Sequence, residues 1–222
     1  MGKLIAVEGL DGSGKGTQTK LLVDALEEMG ISVLRVSFPN YDSQSAALVK
    51  MYLNGEIGAS AGDVNAYAAS TFYAADRYIN YRTQWKQDYA GGKLIVADRY
   101  VTSNMVFQMT KLPKEQWDEY IKWLEDFEYE KLEIPKPDMV FYFDMPIEIS
   151  QELISKRYQG DEAKKDIHEK NISFLRECRE SAAYAAEKRG WKVIHCGENG
   201  GPRTIESIHD EVIKAVLAAI DS

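Results

Sequence analysis

Apolar residues fall in short runs separated by longer stretches at helical spacing. Residues 3–7, 31–36, 93–97, 139–143 and 191–195 are compact apolar runs of strand length. Between them, Leu21, Leu22, Ala25, Leu26 and Met29 recur with a period near 3.6, and Gly30 follows as a helix stop. Helical patterning also covers 43–53, a long polar-aromatic stretch at 63–89 ended by Gly91-Gly92, and 103–109. It returns at 114–131, 147–156, a stretch running to 189, and 205–220. Strands that alternate with helices, and that read as continuously apolar, predict an α/β, doubly wound, five-stranded parallel sheet flanked by helices on both faces. In such a sheet ligands sit beyond the carboxyl ends of the strands. The loops after Val7, Val36, Ala97 and Phe143 are therefore expected to carry the chemistry.

The loop after Val7 is the most informative. Gly9-Leu10-Asp11-Gly12-Ser13-Gly14-Lys15-Gly16-Thr17 joins a strand to a helix and keeps the G-x(4)-G-K spacing of a phosphate cradle. Glycines let successive main-chain N–H groups point inward, and the helix terminus adds its positive dipole end. Lys15 would set a cation against the bridging and terminal phosphates. Gly16 stands where a serine or threonine usually offers a metal-binding hydroxyl, and Thr17 comes one place later. Asp11 is unusual in a loop built for anions: it either caps a turn N–H or accepts a hydrogen bond from a substrate hydroxyl.

The third strand ends in Asp98-Arg99-Tyr100. An aspartate there can hold Mg²⁺ borne by ATP, and the adjacent arginine can reach a second phosphate. On the long helix, Tyr73 and Arg77 share a face, with Phe72 and Asp76 beside them. This spacing fits base stacking and equally fits core packing. The charged, glycine-containing stretch from Arg157 onward reads either as a solvated run or as a lid over phosphates, spanning about 157–167.

The 222 residues carry a net charge of −8, with 45% hydrophobic and 11% aromatic content. One substantial core fits this length, so a single α/β domain over 1–222 is expected. The acidic balance argues against a nucleic-acid partner bound through a broad basic surface. Cys178 and Cys196, with no C-x-x-C pairing, imply neither a disulfide framework nor a zinc site. No apolar run approaches membrane-spanning length, and the first strand starts at once, so the expectation is a soluble, cytoplasmic protein without a membrane partner.

Taken together, the chain resembles the thymidylate kinase family, within the nucleoside monophosphate kinase group of P-loop kinases, over essentially its whole length. The resemblance rests on Gly9 to Thr17, on FPNYDS from Phe38, on FYAADR from Phe72, on DRYVTSNMVFQ from Asp98 and on PDMVFYFDMP from Pro137. It implies transfer of the ATP γ-phosphoryl group to dTMP, giving dTDP and ADP, with Mg²⁺ as cofactor. By resemblance, Phe38 and Pro39 border the acceptor, Phe72 stacks on thymine, and Arg77 and Arg99 hold the acceptor phosphate and base edge between them. Asp11 meets the sugar 3′-hydroxyl, and Tyr100 sits close to the deoxyribose. Ser103 and Asn104 complete the thymine pocket, and Asp98 and Thr17 support the metal. The catalytic set would be Lys15, Arg99, Asp11 and a lid cation, with Arg157, Lys164 and Lys165 available. Tyr41 stands where some members place a phosphate-binding arginine. A homodimer is implied by family analogy. Other monophosphate kinases for AMP or UMP/CMP, and a weakly active nucleotide-binding paralogue, are the alternatives.

Overall fold

The computed structural model describes residues 1–58, 62–157 and 172–220. Five strands form the predicted sheet: β1 (Leu4–Gly9), β2 (Val33–Ser37), β3 (Leu94–Asp98), β4 (Met139–Asp144) and β5 (Lys192–His195). Their order is β2-β3-β1-β4-β5 in a parallel sheet flanked by helices. Every residue of β1 and β3 is buried, as the apolar runs Leu4–Val7 and Leu94–Ala97 require of interior strands, and Glu8 and Asp98 are buried with them. The chain divides into two compact units, Met1–Ala6 with Leu34–Asp138, and Val7–Val33 with Met139–Ser222.

In the first unit, Asp138 starts β1 in place: its carboxylate accepts the Leu4 N–H at 2.7 Å, and its own N–H donates to the Leu4 carbonyl at 2.8 Å. The helices here are α2 (Ala47–Leu53), α3 (Ala66–Asn80), α4 (Lys86–Ala90), α5 (Thr102–Phe107) and α6 (Trp117–Glu125). Asn65 caps α3 by accepting the Ala68 N–H at 2.8 Å. The continuous helix expected over 63–89 is instead α3, a π turn at Tyr81–Trp85, and α4. The widened turn seats Trp85, 1% exposed, against Tyr81, Tyr89 and Tyr100. The helix expected over 114–131 likewise resolves into a 3₁₀ turn, α6, and a π turn at Asp126–Lys131 that carries Glu128 into the interior.

In the second unit, α1 (Lys15–Glu28) packs on α9 (Ile205–Ile220), and Gln18 donates to the Ile205 carbonyl at 2.8 Å. Gly30, at φ 77°, ends α1, and the Ile31 N–H reaches back to Leu26. After β4 come α7 (Ile147–Arg157) and α8 (Ile172–Arg189). Arg179 on α8 grips Asp144 at the end of β4 with two bonds of 2.6 and 2.9 Å. β4 and β5 pair in parallel, Phe143 opposite Ile194. A small hairpin of β6 (Gly197–Glu198) and β7 (Gly201–Pro202) turns through Asn199 and Gly200, both at positive φ. No helix among the described residues is long and apolar enough to cross a membrane.

Candidate active site

The phosphate cradle belongs to the second unit. β1 delivers Gly9, and the chain then winds tightly enough for the Ser13 N–H to bond the Leu10 carbonyl at 3.2 Å. Gly12 and Gly14 adopt φ of 75° and 83°, a region costly for any residue with a Cβ. At Gly9 the constraint is space: a Cβ would stand 2.7 Å from Ser13 Oγ and 3.1 Å from the Phe143 carbonyl. Gly14 is the N-cap of α1, makes no side-chain cap, and no acidic residue occupies the first turn. The positive end of α1 is thus left to an external anion. Ser13 Oγ is buried and has no hydrogen-bond partner among the described residues, an orphan that a phosphate oxygen would satisfy. Lys15 and Asp11 are half-buried, Leu10 is buried, and Gly16 and Thr17 are exposed at the helix start. A Cβ at Gly16 would meet nothing within 4 Å, so close packing does not require glycine there.

The residues expected to border the acceptor, Phe38, Pro39, Phe72, Arg77, Arg99 and Tyr100, belong to the first unit. β2 ends at a cis Phe38–Pro39 bond, and the Phe38 N–H donates to the Asp98 carbonyl at 3.0 Å. Asp76 pins the following turn to α3. Its Oδ2 accepts the Asn40 N–H at 2.9 Å, and its Oδ1 accepts the Ser45 hydroxyl at 2.5 Å and the Asn80 amide at 2.8 Å. With donors on both oxygens, a carboxylate 1% exposed is tolerated.

Phe72 and Tyr73 sit half-buried against Tyr52, Val64 and Ala69. Tyr52 meets Phe72 and Tyr73 with centroids 6.1 and 6.4 Å apart. Burial pushes the Tyr73 phenol above its ordinary range, while the Arg99 and Arg77 charges oppose the rise, so this ring lies within the field of both guanidiniums. Lys111 braces the cluster from behind: its Nζ donates to Tyr52 Oη at 2.7 Å and to the Val64 carbonyl at 2.9 Å.

Arg99, immediately after β3, takes φ 65°. A left-handed arginine costs about 1–3 kcal/mol and marks a position where orientation is held by the surroundings. Its guanidinium lies 4.8 Å from the Phe107 ring centroid. Asp98 is buried and accepts Arg35 Nη2 at 3.0 Å, which offsets its charge. Among the described residues no three His, Cys, Asp or Glu side chains gather as a metal cage. A carboxylate or a hydroxyl is a donor suited to an ion that arrives on phosphate oxygens and keeps water ligands.

Two predicted residues have partners within the protein. Arg77 is fully buried, and its Nε and Nη2 bond Glu128 at 2.7 and 2.5 Å, with Nη1 at 3.4 Å from the Tyr100 carbonyl. Glu128 raises the Arg77 pKa against the opposing effect of burial, so the guanidinium stays charged. Tyr100 is fully buried, donates its hydroxyl to the Pro135 carbonyl at 2.9 Å, and packs against Phe38 at 5.8 Å. Its structural contribution is therefore through the ring. Ser103 is half-buried and Asn104 is buried. Arg157 is the last residue of α7, and the rest of the expected lid, with Lys164 and Lys165, lies outside the described residues. Sequence reasoning missed Glu128, Lys111 and the Asn40–Ser45–Asn80 bonds to Asp76, because each depends on partners distant along the chain.

A glycine cradle opening a helix from the first strand of a parallel sheet defines a P-loop nucleotide-binding protein. The thymidylate kinase family model matches residues 7–211. The chain is 30% identical to the thymidylate kinase of Fervidobacterium nodosum over 214 residues, covering 96% of this chain and 98% of that one. It is 32% identical to the thymidylate kinase of Mycobacterium tuberculosis over 191 residues, 85% and 87% of the two chains. The solved thymidylate kinase of Candida albicans superposes with a TM-score of 0.71 at 22% identity, covering 98% and 92%, which establishes the shared fold. The chain belongs to the thymidylate kinase family.

Proposed function

We propose that this protein transfers the γ-phosphoryl group of ATP to dTMP, releasing dTDP and ADP, as a single-domain cytoplasmic homodimer. The observation that carries the reading is the combination, within one family match, of an uncapped α1 cradle and a left-handed Arg99 at the end of β3. Phosphoryl transfer asks little covalent chemistry of the protein, because the acceptor phosphate is already anionic at neutral pH. Positioning and charge neutralisation do the rest.

In this reading the glycine loop, Gly9 to Thr17, wraps the donor phosphates with main-chain N–H groups and the Ser13 hydroxyl, and Lys15 neutralises charge on the transferring group. Arg99 takes the acceptor phosphate. Phe72 stacks on thymine, Phe38 and Pro39 border the nucleotide, and Ser103, Asn104 and the remaining face of Arg77 read the base. Tyr100 supports Phe38 beside the sugar, and Asp11 accepts the 3′-hydroxyl. Mg²⁺, held by Asp98 and Thr17 through ATP, would supply further charge neutralisation. The lid cation is drawn from Arg157, Lys164 and Lys165. With Tyr41 in place of an arginine, Arg99 bears more of the grip on the acceptor.

Isothermal titration calorimetry tests the reading directly. Titrant dTMP is expected to bind at one site per chain and to lose most of its affinity in Arg99→Ala. Absence of dTMP uptake by the wild type would remove the acceptor assignment.

A further inference from the structure

Glu128 sits in the π turn Asp126–Lys131 and is completely buried. Burial alone drives a carboxyl toward its neutral form, and the Glu128 pKa is indeed raised by desolvation, with Arg77 opposing. The fork of Arg77 spans both carboxylate oxygens, the pairing that keeps such a group ionised. An ionised carboxylate only accepts hydrogen bonds. Its Oε1 has a second donor, Nδ2 of Asn104, at 3.4 Å. An amide beside an acceptor-only group must turn its NH₂ toward that group. The Oδ1 of Asn104 is thereby directed away from Glu128. The Asn104 main chain is fixed as well, its N–H on Val101 and its carbonyl accepting from Gln108 and the Tyr120 hydroxyl, so the residue cannot drift to another orientation.

We propose that Glu128 is a specificity-determining positioning residue: it fixes the Asn104 amide with its oxygen outward and keeps Arg77 a donor, so that the pocket accepts a pyrimidine imide. This rests on the reading that Asn104 and Arg77 face the acceptor base. A base with hydrogen on N3 and a carbonyl at C4 complements an acceptor beside a donor. A cytosine-type base presents the reverse pattern, a bare N3 and an amino group, and meets acceptor with acceptor and donor with donor. Mismatched buried polar groups of this sort reject a ligand by factors on the order of 10² or more.

Glu128→Gln separates this role from a structural one. The glutamine oxygen can still accept from Arg77, but its NH₂ now faces Asn104 and turns that amide round. The expected result is a fall of about tenfold or more in kcat/KM for dTMP and dUMP, a smaller fall or a gain for dCMP, and a dTMP to dCMP ratio reduced by about 100-fold. A ratio within threefold of wild type, with all substrates declining together, would overturn the proposal. If Glu128→Gln does not fold, the paired change Arg77→Met with Glu128→Leu decides, since apolar replacement of a whole buried ion pair is generally tolerated. Discrimination should then collapse, and retained dTMP preference refutes the role of Glu128. Wild-type protein is run alongside: inactivity of wild type on dTMP sinks the substrate reading and this inference with it, whereas an unchanged ratio with active wild type sinks this inference alone.

Discussion

Asp76 accepts the main-chain N–H of Asn40 at 2.9 Å, tying the turn after β2 to the middle of α3. The same carboxylate takes Ser45 and Asn80, so one buried side chain sets the path of the segment that follows Phe38 and Pro39. Removing it leaves the Asn40 N–H without its acceptor and takes one acceptor each from Ser45 and Asn80. Asp76→Ala is expected to lower stability by about 2–4 kcal/mol and to raise the KM for dTMP more than it lowers kcat. Denaturant melts and steady-state kinetics check both, and an unchanged KM would mean that the turn holds its shape without Asp76.

Lys15 and Arg99 carry the charge compensation in the proposed reaction. Replacement of either by alanine should cost about 10²–10³ in kcat/KM. Lys15 starts α1 half-buried, so its loss should leave the melting temperature nearly unchanged, and Arg99→Ala should do likewise. Wild-type-like turnover by either folded variant removes that residue from the catalytic set.

Gly9 has no room for a side chain. In Gly9→Ala the new methyl would press on Ser13 Oγ at 2.7 Å and on the Phe143 carbonyl. The loop must shift, and ATP affinity is expected to fall by about tenfold or more, with a smaller loss of stability. Gly16→Ala is the control: nothing lies within 4 Å of its added methyl, and alanine is the better helix former by about 1 kcal/mol. Titration with a non-hydrolysable ATP analogue should separate the two variants, and equal affinities would count against the cradle geometry.

Burial lowers the Lys111 ammonium to about 8. In the unfolded chain it returns to about 10.4, so between these values the unfolded state binds more protons than the folded one. Stability from this group therefore rises with pH across that window, the cost of burying the charge being fully present below pH 8. Because the side chain is only partly buried, solvent screening reduces the gain to about 1 kcal/mol. Tyrosines with raised pKa act in the opposite sense, but only near and above their ordinary value of about 10. Urea midpoints at pH 7.5 and 9.5 should show the wild type gaining on Lys111→Met, and parallel behaviour would contradict the assignment.

Much of this molecule is written locally. The five apolar runs specified the sheet, and Gly9, Gly12, Gly14 and Lys15 specified the cradle, because strand burial and positive φ leave direct marks on residue choice. The hairpin that turns through Asn199 and Gly200 also carries a local signal, the Asn-Gly pair itself. The π turns at Tyr81–Trp85 and Asp126–Lys131 had none, since each arises from how Trp85 and Glu128 seat in the interior. Glu128 lies in a run of charges that looks like a solvated face, and its burial is explained by Arg77, 51 residues away, with Asn104 as a second donor. Tertiary pairing of this kind overrides helical periodicity and is invisible to a window of a dozen residues. The sequence spacing of Tyr73 and Arg77 left stacking and packing undecided. The fold buries Arg77 on Glu128 and leaves Phe72 and Tyr73 half-buried on an aromatic support.

The most direct measurement is a coupled ADP-release assay with purified protein, ATP and Mg²⁺, offering dTMP, dUMP, UMP, CMP, AMP and GMP one at a time. Turnover is predicted to be highest with dTMP, with dUMP the next acceptor and the cytosine and purine nucleotides far behind. Preferential phosphorylation of AMP or CMP, or ADP release that ignores the acceptor, would contradict the account.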